Sequence, residues 1–237
     1  MEIIPAIIAK DLEDLKNKIY LIKNHTDWVQ LDIMDGIFVE NKTWDEPEKL
    51  DPLFTIHDKE QEWLTKKWPT ILTGVEPTKV VLKPLNYEVH LMVEKPKADV
   101  ERWLKSDVSR ILVHIEAQAD FKELAKMVHA GNKQFGLVLN PDTPISILEN
   151  FKDVIDVVQL MSVYPGKYGA SFVPSVLEKG REFKKIYPRI PLSIDGGVNE
   201  KTLPEIIKSG FDRAAVGSAI FESKDPVISL EKLKIRN

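Results

Sequence analysis

Apolar and polar positions alternate along Trp28–Met34 with a period of two. Val29, Leu31 and Ile33 make one face of the predicted strand; Gln30, Asp32 and Met34 make the other. An edge strand would turn such a polar face to solvent. In a barrel of parallel strands wrapped by helices, the aliphatic row instead packs under helices and the polar row points into the barrel. An inward Asp near the C-terminal end of such a strand stands where these barrels build active sites.

The rest of the chain favours the barrel. Glu2–Ile8 is a short aliphatic strand, and Asp11 follows as an N-cap for a helix carrying Leu12, Leu15, Ile19 and Ile22 on one face. Further strands are predicted at Glu88–Met92, Arg110–Glu116, Gln134–Asn140, Ile155–Met161, Pro191–Asp195 and Asp212–Val216. Helices are predicted between and after them at Lys97–Lys105, Asp120–Ala130, Ile145–Phe151, Pro174–Tyr187, Glu200–Ser209 and Pro226–Leu233. Eight strands with helices between nearly all of them predict an α/β fold, a single (β/α)8 TIM barrel over 1–237. The departure is an enlarged segment at about 42–86, between the second and third strands. It holds Trp44, Trp63 and Trp68, and a helix is predicted there only at Glu60–Lys67.

The same alternation sorts the other strands. His90 and Met92 face inward on the third, His114 and Glu116 on the fourth, Gln159 and Met161 on the sixth, and Ser193 and Asp195 on the seventh. Asp32, His90, Asp195 and three methionines thus converge on one mouth. A lone inward His is usually a satisfied core residue, but two buried carboxylates need partners. A divalent metal would be one, since Zn²⁺ accepts both imidazole and carboxylate. The second and seventh strands lie three steps apart in an eight-membered ring, so Asp32 and Asp195 are expected to reach a central substrate from different sides. That suits proton removal from one face of a carbon and return to the other, through an enediolate. Gly196-Gly197 and Gly217-Ser218 follow the seventh and eighth strands, where backbone N–H groups of such barrels often hold phosphate.

Composition narrows the partners. The 237 residues fit one such barrel, and 43% hydrophobic content supplies its core. A net charge of −4, with 33 basic and 37 acidic residues interspersed, argues against nucleic acid or an anionic membrane. Without cysteine there are no disulfides or thiolate metal sites, and neither a leader nor a long apolar run is evident. The expectation is a cytoplasmic protein acting on a small phosphorylated sugar, with homo-oligomerisation left open.

Several stretches together resemble the ribulose-phosphate 3-epimerase family. They are LDIMDG (31–36) with Phe38-Val39, VHLMV (89–93), VHIEA (113–117), LNPDTP (139–144), MSVYPG (161–166), FVPSVL (172–177), IDGGVN (194–199) and VGSAIF (216–221). The resemblance implies a ribulose-phosphate-binding type of barrel that interconverts ribulose 5-phosphate and xylulose 5-phosphate with one divalent metal ion (Zn, Mn, Fe or Mg). It implies Asp32 and Asp195 as paired acid/base groups and metal ligands, and His90 as a further ligand that also lines the substrate site. Met34, Met92 and Met161 would flank the substrate, and Gly166, Lys167, Tyr168, Gly169, Gly196, Gly197, Gly217 and Ser218 would form the sugar-phosphate loops.

The chain departs from the family where it bears on chemistry. Gln30 stands where the family has its first metal-ligating His, offering a weaker, neutral ligand. Ala6 replaces a substrate-contacting Ser, and Ile37 a His. The loop usually reading NPGFGGQ is Tyr164–Ala170 here, with one glycine fewer and Lys167 added. These departures keep two alternatives open: a sugar-phosphate-binding protein without turnover, and an epimerase of a hexulose phosphate such as allulose 6-phosphate.

Overall fold

The computed structural model describes residues 1–50, 85–165 and 171–235. Eight parallel strands close into a barrel in chain order. They are β1 (Glu2–Ile7), β2 (Trp28–Met34), β3 (Asn86–Met92), β4 (Arg110–His114), β5 (Gln134–Leu139), β6 (Val157–Met161), β7 (Leu192–Asp195) and β8 (Arg213–Val216). β1 pairs with β8 to complete the ring. Around it lie α1 (Leu12–Ile22), α2 (Lys97–Trp103), α3 (Phe121–Ala130), α4 (Ser175–Ile186), α5 (Leu203–Lys208), α6 (Ser218–Phe221) and α7 (Pro226–Ile235). Among the described residues no helix is long and apolar enough to cross a membrane.

The period-two rows sort as the alternation requires. Val29, Leu31, Ile33, Val89, Leu91, Val113, Leu160 and Ile194 join the core between strands and helices, with Leu15, Ile19, Trp103, Leu124, Val128 and Phe183 from the helical layer. α1 starts as expected, with the Asp11 carboxylate accepting the Asp14 N–H at 2.8 Å. A separate apolar cluster inside the barrel holds Leu112, Val138, Val157, Met161 and Val163, all on or just after β4–β6. Deeper down, Glu88 and Arg110 face each other in register and form a fully buried ion pair. Arg110 Nε also donates to Gln134 Oε1 at 2.9 Å.

Some expectations need correction. β4 ends at His114, because the chain turns once Ile115 N–H has bonded Val138 O; Glu116 therefore sits at the rim rather than inside. The helix expected at Ile145–Phe151 is present as a 3₁₀ helix over Ile145–Asn150. α6, directly after β8, was not anticipated. The helix expected at Glu60–Lys67 lies outside the described residues, as do Gly166, Lys167, Tyr168 and Gly169.

Candidate active site

The barrel brings Asp32, His90 and Asp195 together at the C-terminal mouth, each less than a tenth exposed. Asp32 and His90 are register partners on β2 and β3, while Asp195 closes β7. Thr43 fixes the end of β2: its hydroxyl donates to Asp32 O at 3.0 Å and accepts from Met34 N–H at 2.9 Å. Across the ring, Ser162 holds the end of β7 by donating its backbone N–H to Asp195 O at 2.7 Å.

Asp32 and Asp195 come to the centre from β2 and β7, three strands apart around the ring. One oxygen of each converges on the same point. His90 Nδ1 lies 3.1 Å from Asp32 Oδ1 and 3.4 Å from Asp195 Oδ2. Gln30 lies beneath them, fully buried, with its Nε2 donating to Asp32 Oδ1 and Asp195 Oδ2 at 2.7 Å each. Its Oε1 has no partner. Gln30 thus turns Nε2 toward the carboxylates and Oε1 away from them. Gln159 Nε2 adds a bond to Asp195 Oδ2 at 3.1 Å.

Beyond His90 the polar chain continues. His114, also fully buried, places its Nε2 2.9 Å from His90 Nε2 and its Nδ1 3.2 Å from Glu116 Oε2. Glu116 Oε1 in turn accepts from Asn140 N–H at 2.9 Å and from the Thr143 hydroxyl. Burial opposes a charge on His90, but hydrogen bonds to Asp195 and Asp32 outweigh it and raise the imidazole to about 9. For His114 burial prevails over Glu116 and lowers it to about 4. Burial, helped by the charge of Asp195, pushes the Asp32 carboxyl above its ordinary value.

Above this centre is a cavity lined by Asp32, Asp195 and His90, by Ala6, Met34, Met92 and Met161, and by Gly196, Gly197, Gly217 and Ser218. Every described residue expected at the substrate therefore borders one space. Ile8, Val163, Pro165, Val198 and Ala215 border it too and were not anticipated; the period-two spacing from Ala6, carried one residue past the end of β1, offered the signal for Ile8. Gly196 and Gly197 have φ of +107° and +62°, and a side chain at Gly196 would run into Val163. The Gly197 carbonyl is fixed by Asn199 Nδ2 at 2.9 Å and by Thr202 Oγ1 at 3.0 Å. Ala6 on β1 and Ala215 on β8 border the space, whereas Leu112, Val138 and Val157 on β4, β5 and the start of β6 pack together without lining it.

Asp32, His90 and Asp195 offer ligand atoms that all lie within 4.8 Å of one another. Two carboxylate oxygens and an imidazole nitrogen at that spacing fit a divalent cation.

Fold and site define a (β/α)8 barrel enzyme with a carboxylate–imidazole centre at its C-terminal mouth. A model of the ribulose-phosphate 3 epimerase family matches residues 69–221. The ribulose-phosphate 3-epimerase of Helicobacter pylori is 31% identical over 99% of this chain and 97% of its own. That of Bacillus subtilis is 29% identical over 99% and 98%, respectively. Among solved structures, KGPDC from Streptococcus mutans in complex with D-R5P superposes with a TM-score of 0.67 at 12% identity, covering 99% of this chain and 96% of that one, and shares the fold. The chain belongs to the ribulose-phosphate 3-epimerase family, a family of isomerases.

Proposed function

We propose that the chain epimerises a ketose phosphate at C3, with D-ribulose 5-phosphate and D-xylulose 5-phosphate as the expected pair. The observation that carries this reading is the convergence of Asp32 and Asp195 on the floor of a cavity rimmed by Gly197 and Gly217-Ser218. The rim backbone would receive the phosphate, and the sugar carbons would then lie over the carboxylates.

In this reading Asp32 removes the C3 proton, and the C–H electron pair becomes the C2–C3 double bond of an enediolate. Asp195, in its acid form, returns a proton to the opposite face of C3, and the reverse reaction exchanges the two roles. Burial that raises the Asp32 carboxyl brings it closer to the range a base near neutrality needs. Met34, Met92 and Met161 give the reacting carbon an apolar, adaptable wall. Asp32, His90 and Asp195 would hold a divalent cation, whose charge would stabilise the oxyanion that develops next to C3.

The test is incubation of the purified protein with ribulose 5-phosphate and a divalent cation in D₂O. Formation of the epimer with deuterium at C3 is expected. Neither epimer nor exchange would reject the activity, and turnover of a hexulose 6-phosphate alone would move the assignment to that substrate.

A further inference from the structure

Gln30 Nε2 lies 2.7 Å from an oxygen of Asp32, 2.7 Å from an oxygen of Asp195 and 3.4 Å from His90 Nδ1. These three atoms are close enough together to share one cation. A divalent ion held by them would sit about 2.0–2.6 Å from each. It would overlap the space that Nε2 fills, so the ion and the amide nitrogen cannot be there together.

The amide is also well suited to that place. Its two N–H bonds satisfy two buried carboxylates at once, which is the electrostatic task a cation performs. The opposite orientation would aim Oε1, now without a partner, at two carboxylate oxygens and repel both. Ala6, the register neighbour of Gln30 on β1, borders the cavity with a methyl group only.

We propose that Gln30 is a built-in competitor for the cation: its amide bridges Asp32 and Asp195, and a metal ion enters only by displacing it. The inference rests on Asp32, His90 and Asp195 as the cation ligands assigned above. Its consequence is a centre that keeps its shape when the ion leaves and exchanges the ion readily. A site that depended on the ion to hold the carboxylates together would do neither.

The test compares the native protein with Gln30→Met, which keeps the length of the side chain and removes the bridge. Mn²⁺ affinity is measured by competition with a chromophoric chelator, without sugar, so the outcome is independent of the epimerisation assay. Thermal unfolding is followed in EDTA and in saturating Mn²⁺. Gln30→Met is expected to bind Mn²⁺ at least tenfold more tightly and to show the larger gain in melting temperature on adding the ion. Equal affinity would make Gln30 a bystander, weaker affinity would make it a ligand, and no binding by either protein would remove the shared site; each overturns the proposal. Should Gln30→Met not fold, the side-chain amide of the native protein is followed by ¹H–¹⁵N correlation during Zn²⁺ titration. An unchanged Gln30 signal at saturation overturns the proposal equally.

Discussion

His90 Nε2 and His114 Nε2 lie 2.9 Å apart in a region that neither imidazole shares with solvent. His114 stays neutral and gives its Nδ1 hydrogen to Glu116, so its Nε2 accepts and His90 Nε2 donates. A hydrogen on His90 Nε2 is therefore held from outside the centre, and Nδ1 is the ring nitrogen directed at Asp32 and Asp195.

A pH dependence of stability follows from His114. Its imidazole is lowered to about 4 in the fold, against an unfolded value near 6.5. Between those values the unfolded chain takes up a proton that the folded chain refuses. The contribution is complete above about pH 6.5 and is lost as pH falls through about 4, amounting to about 3 kcal/mol. Denaturant titrations between pH 7 and 4 are expected to show a shallower loss for His114→Gln than for the native protein. Parallel slopes would show that His114 does not carry this dependence.

For the two carboxylates, Asp32→Asn and Asp195→Asn should each reduce kcat by roughly 10²–10⁴-fold, the range for loss of a general acid or base. Single-turnover exchange of the C3 hydrogen with solvent separates the roles. The variant lacking the base for a given epimer should lose exchange of that epimer. Near-normal turnover in either variant would exclude that residue.

At the rim, Gly217→Leu is expected to raise KM for the phosphorylated ketose about tenfold or more while leaving the melting temperature nearly unchanged. Gly217 borders the cavity that Asp195 also lines, and the proposed function would have the phosphate there. Isothermal titration with inorganic phosphate provides the same reading without turnover. An unaltered phosphate affinity would return the loop to an ordinary turn.

Zinc gives a prediction in the opposite direction. Gln30→His replaces a bridging amide with an imidazole that can itself ligate, so Zn²⁺ affinity should rise above that of the native protein. Chelator competition with both forms measures it, and tighter binding by the native protein would contradict the expectation.

Stability also hangs on the bottom of the barrel. Glu88→Gln would leave Arg110 buried with its countercharge gone, a change expected to cost about 3–5 kcal/mol. The midpoint of urea unfolding reports it.

How far the sequence carried can be read at particular positions. The alternation along Trp28–Met34 placed Gln30, Asp32 and Met34 inside because parallel strands buried on both faces leave only two directions for a side chain. It failed at Glu116, one turn past the end of β4, where the period no longer applies. The shared partner of Asp32 and Asp195 was not legible: strand spacing fixes Cα positions, while the carboxylates reach inward to one Gln30 amide nitrogen. Which way the Gln30 amide turns depends on three strands at once, and no local pattern encodes it. The pairing of His90 with His114 needs the barrel for the same reason.

Ala6 and Ala215 give the mouth its hollow. Over β4, β5 and the start of β6, Leu112, Val138 and Val157 meet and fill the interior as they would in any densely packed protein. Were Ala6 and Ala215 residues of that size, the same eight strands would make a solid rod with its acids sealed underneath. Two methyl-sized positions turn a structural pillar into a vessel. They also mark where a reshaped substrate could be admitted or shut out while every acid, base and ligand stays in place.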